Sequence, residues 1–153
     1  TFVKADIFES DFTKATVLTL FLLPDLNVKL RPTILKMKPG TRVVSNSFRM
    51  EEWEPDDTAT VEGECTRWCT AHLCIVPAHM AGTWATPQGN LTLEQTFQKV
   101  TGTLGSAAIA DGKIRGTTVT FSANGTSYTG QINGNTIQFS GANGGGGWRA
   151  TKR

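Results

Sequence analysis

The sequence predicts an α/β segment followed by an all-β one, and three observations carry that expectation. An apolar run from Ala15 to Leu23 is followed by an amphipathic stretch and then by a second apolar run at Val43 and Val44. That order describes a strand, a crossover helix and a parallel strand. The first 60 residues hold a single glycine, Gly40, whereas glycine is frequent after Gly82 and the apolar runs there are short and alternating. Finally, Asp111-Gly112, Asn124-Gly125 and Asn133-Gly134 are the dipeptides favoured in tight hairpin turns, so an antiparallel β-meander is expected. The change of texture places a domain boundary near residues 55–64, giving 1–60 and 61–153.

In chain order, Phe2–Phe8 reads as a short strand and Ala15–Leu23 as a second, apolar on both faces as a buried parallel strand must be. Asp25 is placed to cap the next helix, whose Leu26, Leu30 and Ile34 recur every four residues and form a stripe that Met37 extends. Pro32 should kink or restart that helix because it lacks an amide hydrogen. Pro39-Gly40 ends it, and Thr41–Ser47 is the next strand.

In the second half, residues 114–122 (Ile-Arg-Gly-Thr-Thr-Val-Thr-Phe-Ser) are matched eighteen positions later by residues 132–140 (Ile-Asn-Gly-Asn-Thr-Ile-Gln-Phe-Ser). Each copy reads as one arm of the meander. The run Gly144–Gly147 lacks a following Lys-Ser/Thr and opens no helix, so it reads as a hairpin loop before a last strand, Trp148–Thr151.

Charge excludes two classes of partner. Fifteen basic and thirteen acidic residues are spread along the chain for a net charge of +2, so neither nucleic acid nor an anionic membrane is expected as a partner. No apolar stretch reaches the roughly 18 residues of a membrane span. A basic N-terminal region leading into an apolar core is also missing, and the cytoplasm is the expected compartment. The first residue, Thr1, suggests a fragment or a processed product.

The segment Cys65–Cys74 gathers three cysteines and His72 within ten residues. On one strand Cys65 and Cys69 would face one side and His72 and Cys74 the other, a poor arrangement for a zinc knuckle. No metal site is expected, and the cysteines read as reduced and structural. His79, beside Pro77, reads as a turn residue, and the acidic run from Glu51 to Asp57 as a solvated loop. Asp6, Leu23-Pro24 and Ser45-Asn46 stand at the carboxyl ends of expected strands, where open α/β sheets bind ligands.

Several of these stretches occur together in a known family. Ala5-Asp6-Ile7-Phe8, the run from Ala15 to Pro24, Asn27–Pro32 and Lys38-Pro-Gly-Thr-Arg-Val-Val resemble the latter part of class I S-adenosylmethionine-dependent methyltransferases. The group resembled most is a bacterial one related to lysine methyltransferases of mitochondrial type. Phe48–Asp56, Val76-Pro-Ala, Ala81–Trp84 and Trp148-Arg-Ala fit the same group.

The resemblance implies a partial Rossmann-like methyltransferase sheet in which Phe2–Phe8 is the third strand and the crossover unit joins the fourth and fifth. It implies that Asp6 holds the adenine amino group, that Ile7 packs on the ring, and that Leu23 and Pro24 stand where acceptor meets methyl donor. The intact enzyme would use S-adenosylmethionine; the acceptor and any general base are unassigned. The family's Gly-rich cofactor loop would precede residue 1, so the chain alone is expected to bind no cofactor and to be inactive. A non-catalytic binding or assembly module built from such a fragment is the alternative. In the family's strand order the third strand never touches the fourth, so Phe2–Phe8 has no neighbour in its own chain and Thr16–Leu22 lies at an edge. A homo-oligomer joined through that edge is expected.

Overall fold

The structure is a computed structural model, and it describes residues 1–141 and 147–153. The chain forms two compact units, Thr1–Val76 and Pro77–Arg153.

The first unit holds a four-stranded sheet in the order β1-β2-β4-β3, from β1 (Val17–Leu20), β2 (Arg42–Asn46), β3 (Asp57–Thr60) and β4 (Thr70–Ile75). β1 and β2 are parallel, and the helix α1 (Pro24–Ile34) lies between them in the chain. β4 then runs antiparallel to β2, and β3 antiparallel to β4. The parallel crossover is therefore present, but in a mixed sheet. Because β3 and β4 complete this sheet, the division falls after Val76 and not near residue 60.

β1 is shorter than the apolar run because the chain turns into α1 at Leu23, the N-cap, which has extended backbone and offers no side-chain cap. Pro24 takes the first helical position, where a missing N–H costs nothing. Asp25 is thus no cap; it sits in the first turn, where its charge meets the positive end of the helix. Pro32 lies inside the last turn, and the chain still closes Leu35 N–H to Arg31 O at 2.9 Å. Leu30, Ile34 and Met37 are buried as the stripe requires, while Leu26 stays 36% exposed. On β2, Val43 and Ser45 point to the same buried side.

Phe2–Phe8 forms no strand. A strand without a partner leaves its backbone groups unpaired, and Asp6 provides a local alternative. Its Oδ1 accepts from Phe8 N–H at 2.8 Å and its carbonyl from Glu9 N–H at 3.2 Å, which makes a turn.

The second unit is a closed barrel of eight antiparallel strands. They are β5 (Gly82–Thr86), β6 (Gly89–Thr96), β7 (Lys99–Leu104), β8 (Ala107–Arg115), β9 (Thr118–Ala123), β10 (Thr126–Asn133), β11 (Thr136–Phe139) and β12 (Trp148–Lys152). Each pairs with the next, and β12 returns to β5. The expected meander thus closes on itself. Asn124-Gly125 is the two-residue turn from β9 to β10, with φ of 49° and 73°, as a type I′ turn requires. Asp111-Gly112 is not a turn: it lies within β8, where the pairing with β7 and β9 shifts register, a bulge of the kind that bends strands around a barrel. The third turn is Gly134-Asn135, one residue later than expected, because Asn133 still pairs with Thr136.

The eighteen-residue repeat has a structural meaning larger than one arm. Each copy spans a hairpin, β8 to β9 and β10 to β11, with Gly116 or Gly134 at positive φ opening the two-residue turn. Its apolar positions Ile114, Val119, Phe121, Ile132, Ile137 and Phe139 all enter the barrel core. Eight strands leave a lumen that side chains can fill. Phe139 stacks on Trp148 at 4.1 Å between centroids, and a Cβ on Gly130 would meet Ile137 Cγ2 at 2.7 Å, so only glycine fits beneath that stack. The Gly144–Gly147 loop lies outside the described residues except for Gly147.

Candidate functional site

The carboxyl ends of the two parallel strands open onto one pocket. It encloses about 360 Å³ and is lined by Thr19, Leu20 and Phe21 of β1 and the residue after it, Val44 and Asn46 of β2, and Ala71 of β4. The register explains the grouping: Thr19 pairs with Val44, and Asn46 with Ala71. Asn46 Oδ1 accepts a hydrogen bond from Ser47 Oγ at 2.8 Å, so its acceptor is directed by the residue at which β2 turns.

That turn is stitched from below by α1. Asn27 is fully buried, and its Nδ2 donates to Ser45 Oγ at 3.1 Å and to the carbonyls of Phe48 and Arg49 at 3.4 Å. Ser45 Oγ also donates to Phe48 O at 2.6 Å. Phe48 is thereby fixed beside the strand ends. Its ring lies 5.4 Å from that of Trp68, and Phe21 lies 5.6 Å from Trp68 on the other side, edge-on. Three aromatic rings thus stand together at the ends of β1 and β2, with Phe21 61% and Trp68 52% exposed.

Trp68 arrives there on a loop where the residue spacing suggested a strand. Cys65 and Cys69 are joined by a disulfide, with Cα atoms 5.9 Å apart, so these two are not reduced thiols. They are also not on a strand, since β4 begins only at Thr70. Two cysteines four apart can close a small ring in a loop; pleated-strand spacing is the wrong frame for them. Cys74 is the free one, buried on β4, and burial followed by the nearby Asp56 charge pushes its thiol up to about 12, which leaves it inert. Beside it on the same buried face, His72 has its Nδ1 3.1 Å from Thr58 Oγ1. Burial, and then the charge of Arg49, lower its pKa, so the ring is neutral at pH 7. His79 is exposed and outside any strand. No group of three or more possible metal ligands occurs among the described residues.

The other expected site residues lie apart from the pocket lining. Leu23 and Pro24 are the N-cap and first residue of α1, with Leu23 63% exposed. Asp6 and Ile7 sit in the N-terminal turn, Asp6 exposed and Ile7 half-buried. That turn reaches α1 through Lys29, whose Nζ lies 4.2 Å from the centre of the Phe8 ring. The acidic run also does more than face solvent. Asp56 Oδ2 accepts from Ile75 N–H at 2.8 Å, and Glu52 pairs with Arg31 at 2.7 Å.

Residues 1–57 match the ANTKMT methyltransferase domain. Over 79 residues the chain is 46% identical to a protein-lysine N-methyltransferase of Saccharolobus islandicus (strain REY15A), covering 50% of this chain and 48% of that protein. A crystal structure of an RNA methyltransferase from Salinibacter ruber, in complex with S-adenosyl-L-homocysteine, is 42% identical and aligns with a TM-score of 0.45 over 51% of this chain and 48% of its own. The chain spans about half the length of the relatives it matches. The matched residues end where β3 begins, so the likeness to S-adenosylmethionine-dependent methyltransferases falls on the segment that carries β1, α1 and β2.

Proposed function

We propose that this chain is the C-terminal part of an S-adenosylmethionine-dependent methyltransferase, and that its first unit contributes a Rossmann-like strand-helix-strand piece and the acceptor side of the active-site cleft. The observation that carries this reading is the pocket at the carboxyl ends of parallel β1 and β2, where open α/β sheets bind their ligands. The acceptor is an amine, a choice supported by the lysine-modifying relative and by the trio Phe21, Phe48 and Trp68, since aromatic faces attract ammonium groups. The bound donor supplies an activated methyl group, and the chain's own task is to position the acceptor.

On this reading the chain supplies only part of the cofactor site. Asp6 and Ile7 are in a turn off the sheet, and the pocket lining includes neither them nor Leu23 nor Pro24. Asp6 could supply about 1–3 kcal/mol through its hydrogen bonds. That is far below the roughly 7–8 kcal/mol of a micromolar site. Calorimetry of the chain with S-adenosylmethionine at tens of micromolar should therefore show no saturable binding, and no methyl transfer should be detected. One-to-one binding at that level would sink the reading of a dependent part.

A second reading, a binding or assembly module, is favoured by the sheet edge. Among the described residues β1 pairs on one side only, and Val17 on it is 42% exposed. An unpaired edge of this kind is a template for a second copy of the chain. Size exclusion with light scattering at a few micromolar should give a dimer; a monomer at that concentration argues against pairing through β1.

A further inference from the structure

The loop that carries Trp68 is closed by a disulfide of only four residues' separation. Both cysteines are half-buried, and the intervening Thr66, Arg67 and Trp68 are exposed, so a reductant has access. Trp68 holds a backbone φ of 59°, a conformation that costs a non-glycine residue energy and persists only where its surroundings impose it. Two constraints impose it here: the ring closure at Cys69 on one side, and the contacts of the indole with Phe21 and Phe48 on the other. The third cysteine is no exchange partner, because Cys74 is buried within β4.

We propose that the Cys65–Cys69 disulfide is a redox latch, which when closed holds Trp68 against Phe21 and Phe48 at the ends of β1 and β2 and when opened by a dithiol releases it. The chemistry is thiol-disulfide exchange. A thiolate of the dithiol attacks one sulfur and the Cys65–Cys69 bond breaks; the second thiolate then resolves the mixed disulfide. The dithiol is oxidised to its own disulfide, and its two electrons and two protons leave Cys65 and Cys69 as thiols. In the reducing compartment expected from the sequence, disulfides are chiefly transient or redox-sensing. Opening so small a ring frees little chain, so the rest of the sheet stays folded. That the released surface is the acceptor side of a methyltransferase rests on the function proposed above; the latch itself does not.

Limited trypsin cleavage after Arg67 reads the latch directly in the full chain. Cleavage should be at least ten-fold faster after dithiothreitol treatment, with the thermal midpoint of the protein little changed. Cys65→Ser and Cys69→Ser should be cleaved at the fast rate with or without dithiothreitol, and Cys74→Ser should behave as the parent. Equal rates with and without dithiothreitol, or three titratable thiols in denatured protein purified without reductant, would overturn the latch. Should cleavage respond while binding of a lysine-containing peptide is the same in both states, the latch stands and the placement of the acceptor surface fails.

Discussion

The two units of this chain solve the problem of a sheet edge in opposite ways. The first leaves its sheet open: among the described residues β1 has a neighbour on one side only, and β3 at the other edge is exposed along its length. The second joins β12 to β5 and has no edge at all. Apolar exposure follows the same division. Every large hydrophobic side chain exposed among the described residues, from Phe2 to Trp68, lies in the first unit. Closure hides both the backbone and the side chains that an open sheet leaves exposed, so the difference in apolar exposure follows from the difference in topology.

The comparison breaks most visibly if the units do not respond separately to damage. Phe139 is 1% exposed and touches Phe121, Tyr128 and Trp148 in the barrel core. Phe139→Ala should cost about 3–5 kcal/mol. Hydrogen exchange should show that loss in β9 to β12 while amides of β2 and β4 keep their protection. Equal loss in both units would mean that they unfold together.

A smaller effect is expected from Asn27→Ala, which removes the donor shared by Ser45, Phe48 and Arg49. About 1–3 kcal/mol should be lost from the first unit, because buried Ser45 Oγ and the Arg49 carbonyl lose this donor, while Phe48 O keeps the one from Ser45. Near-ultraviolet circular dichroism from the Phe48–Trp68 contact should fall with it. An unchanged spectrum would mean that Phe48 is held by something other than α1.

The smallest effect sharpens the comparison through pH. His72 has its pKa below the ordinary 6.5 in the folded state, from burial first and then Arg49. The unfolded chain therefore binds the extra proton more readily, so His72 contributes stability above about pH 6.5 that is lost as pH falls through its folded value. Cys74 works in the other direction: raised from 9.0 to about 12, it contributes stability below pH 9 that is lost as pH climbs toward 12. Both lie on β4 in the first unit, and the barrel strands contain no histidine or cysteine. Urea midpoints at pH 7.5 and 5 should differ for the first unit more than for the barrel, and His72→Gln should narrow the gap. An equal fall in both units would assign the acid sensitivity elsewhere.

What could be read from the residues depended on the range of the force involved. The crossover unit was legible because α1 and its flanking strands follow from local periodicity, and the burial of Leu30, Ile34 and Met37 agrees with it. The turn at Asn124-Gly125 was legible because it needs two residues at positive φ in sequence. Barrel closure was not, since the pairing of Thr151 with Ala85 spans the whole unit and leaves no local trace. Asp111-Gly112 misled because the dipeptide that suits a turn also suits a bulge. At the site, Ser45-Asn46 was singled out correctly as a strand end, but Phe21, Phe48 and Trp68 converge from three separate segments. The cysteine pairing was missed because the segment was laid out as a strand, which holds Cys65 and Cys69 apart.

The return of β12 to β5 has one more consequence. Thr151 lies against Ala85, Lys152 against Trp84, and Arg153 N–H bonds Thr83 O at 3.0 Å, so the barrel's first and last strands are next-door neighbours. A ring of strands has no natural beginning. It can be cut at one hairpin and rejoined at this seam with every rung of the ladder preserved, and it can be carried on a host chain by a single stalk. The barrel is in that sense a portable part, and relocating its entry point to the Asn124-Gly125 turn should leave the same eight-stranded ring.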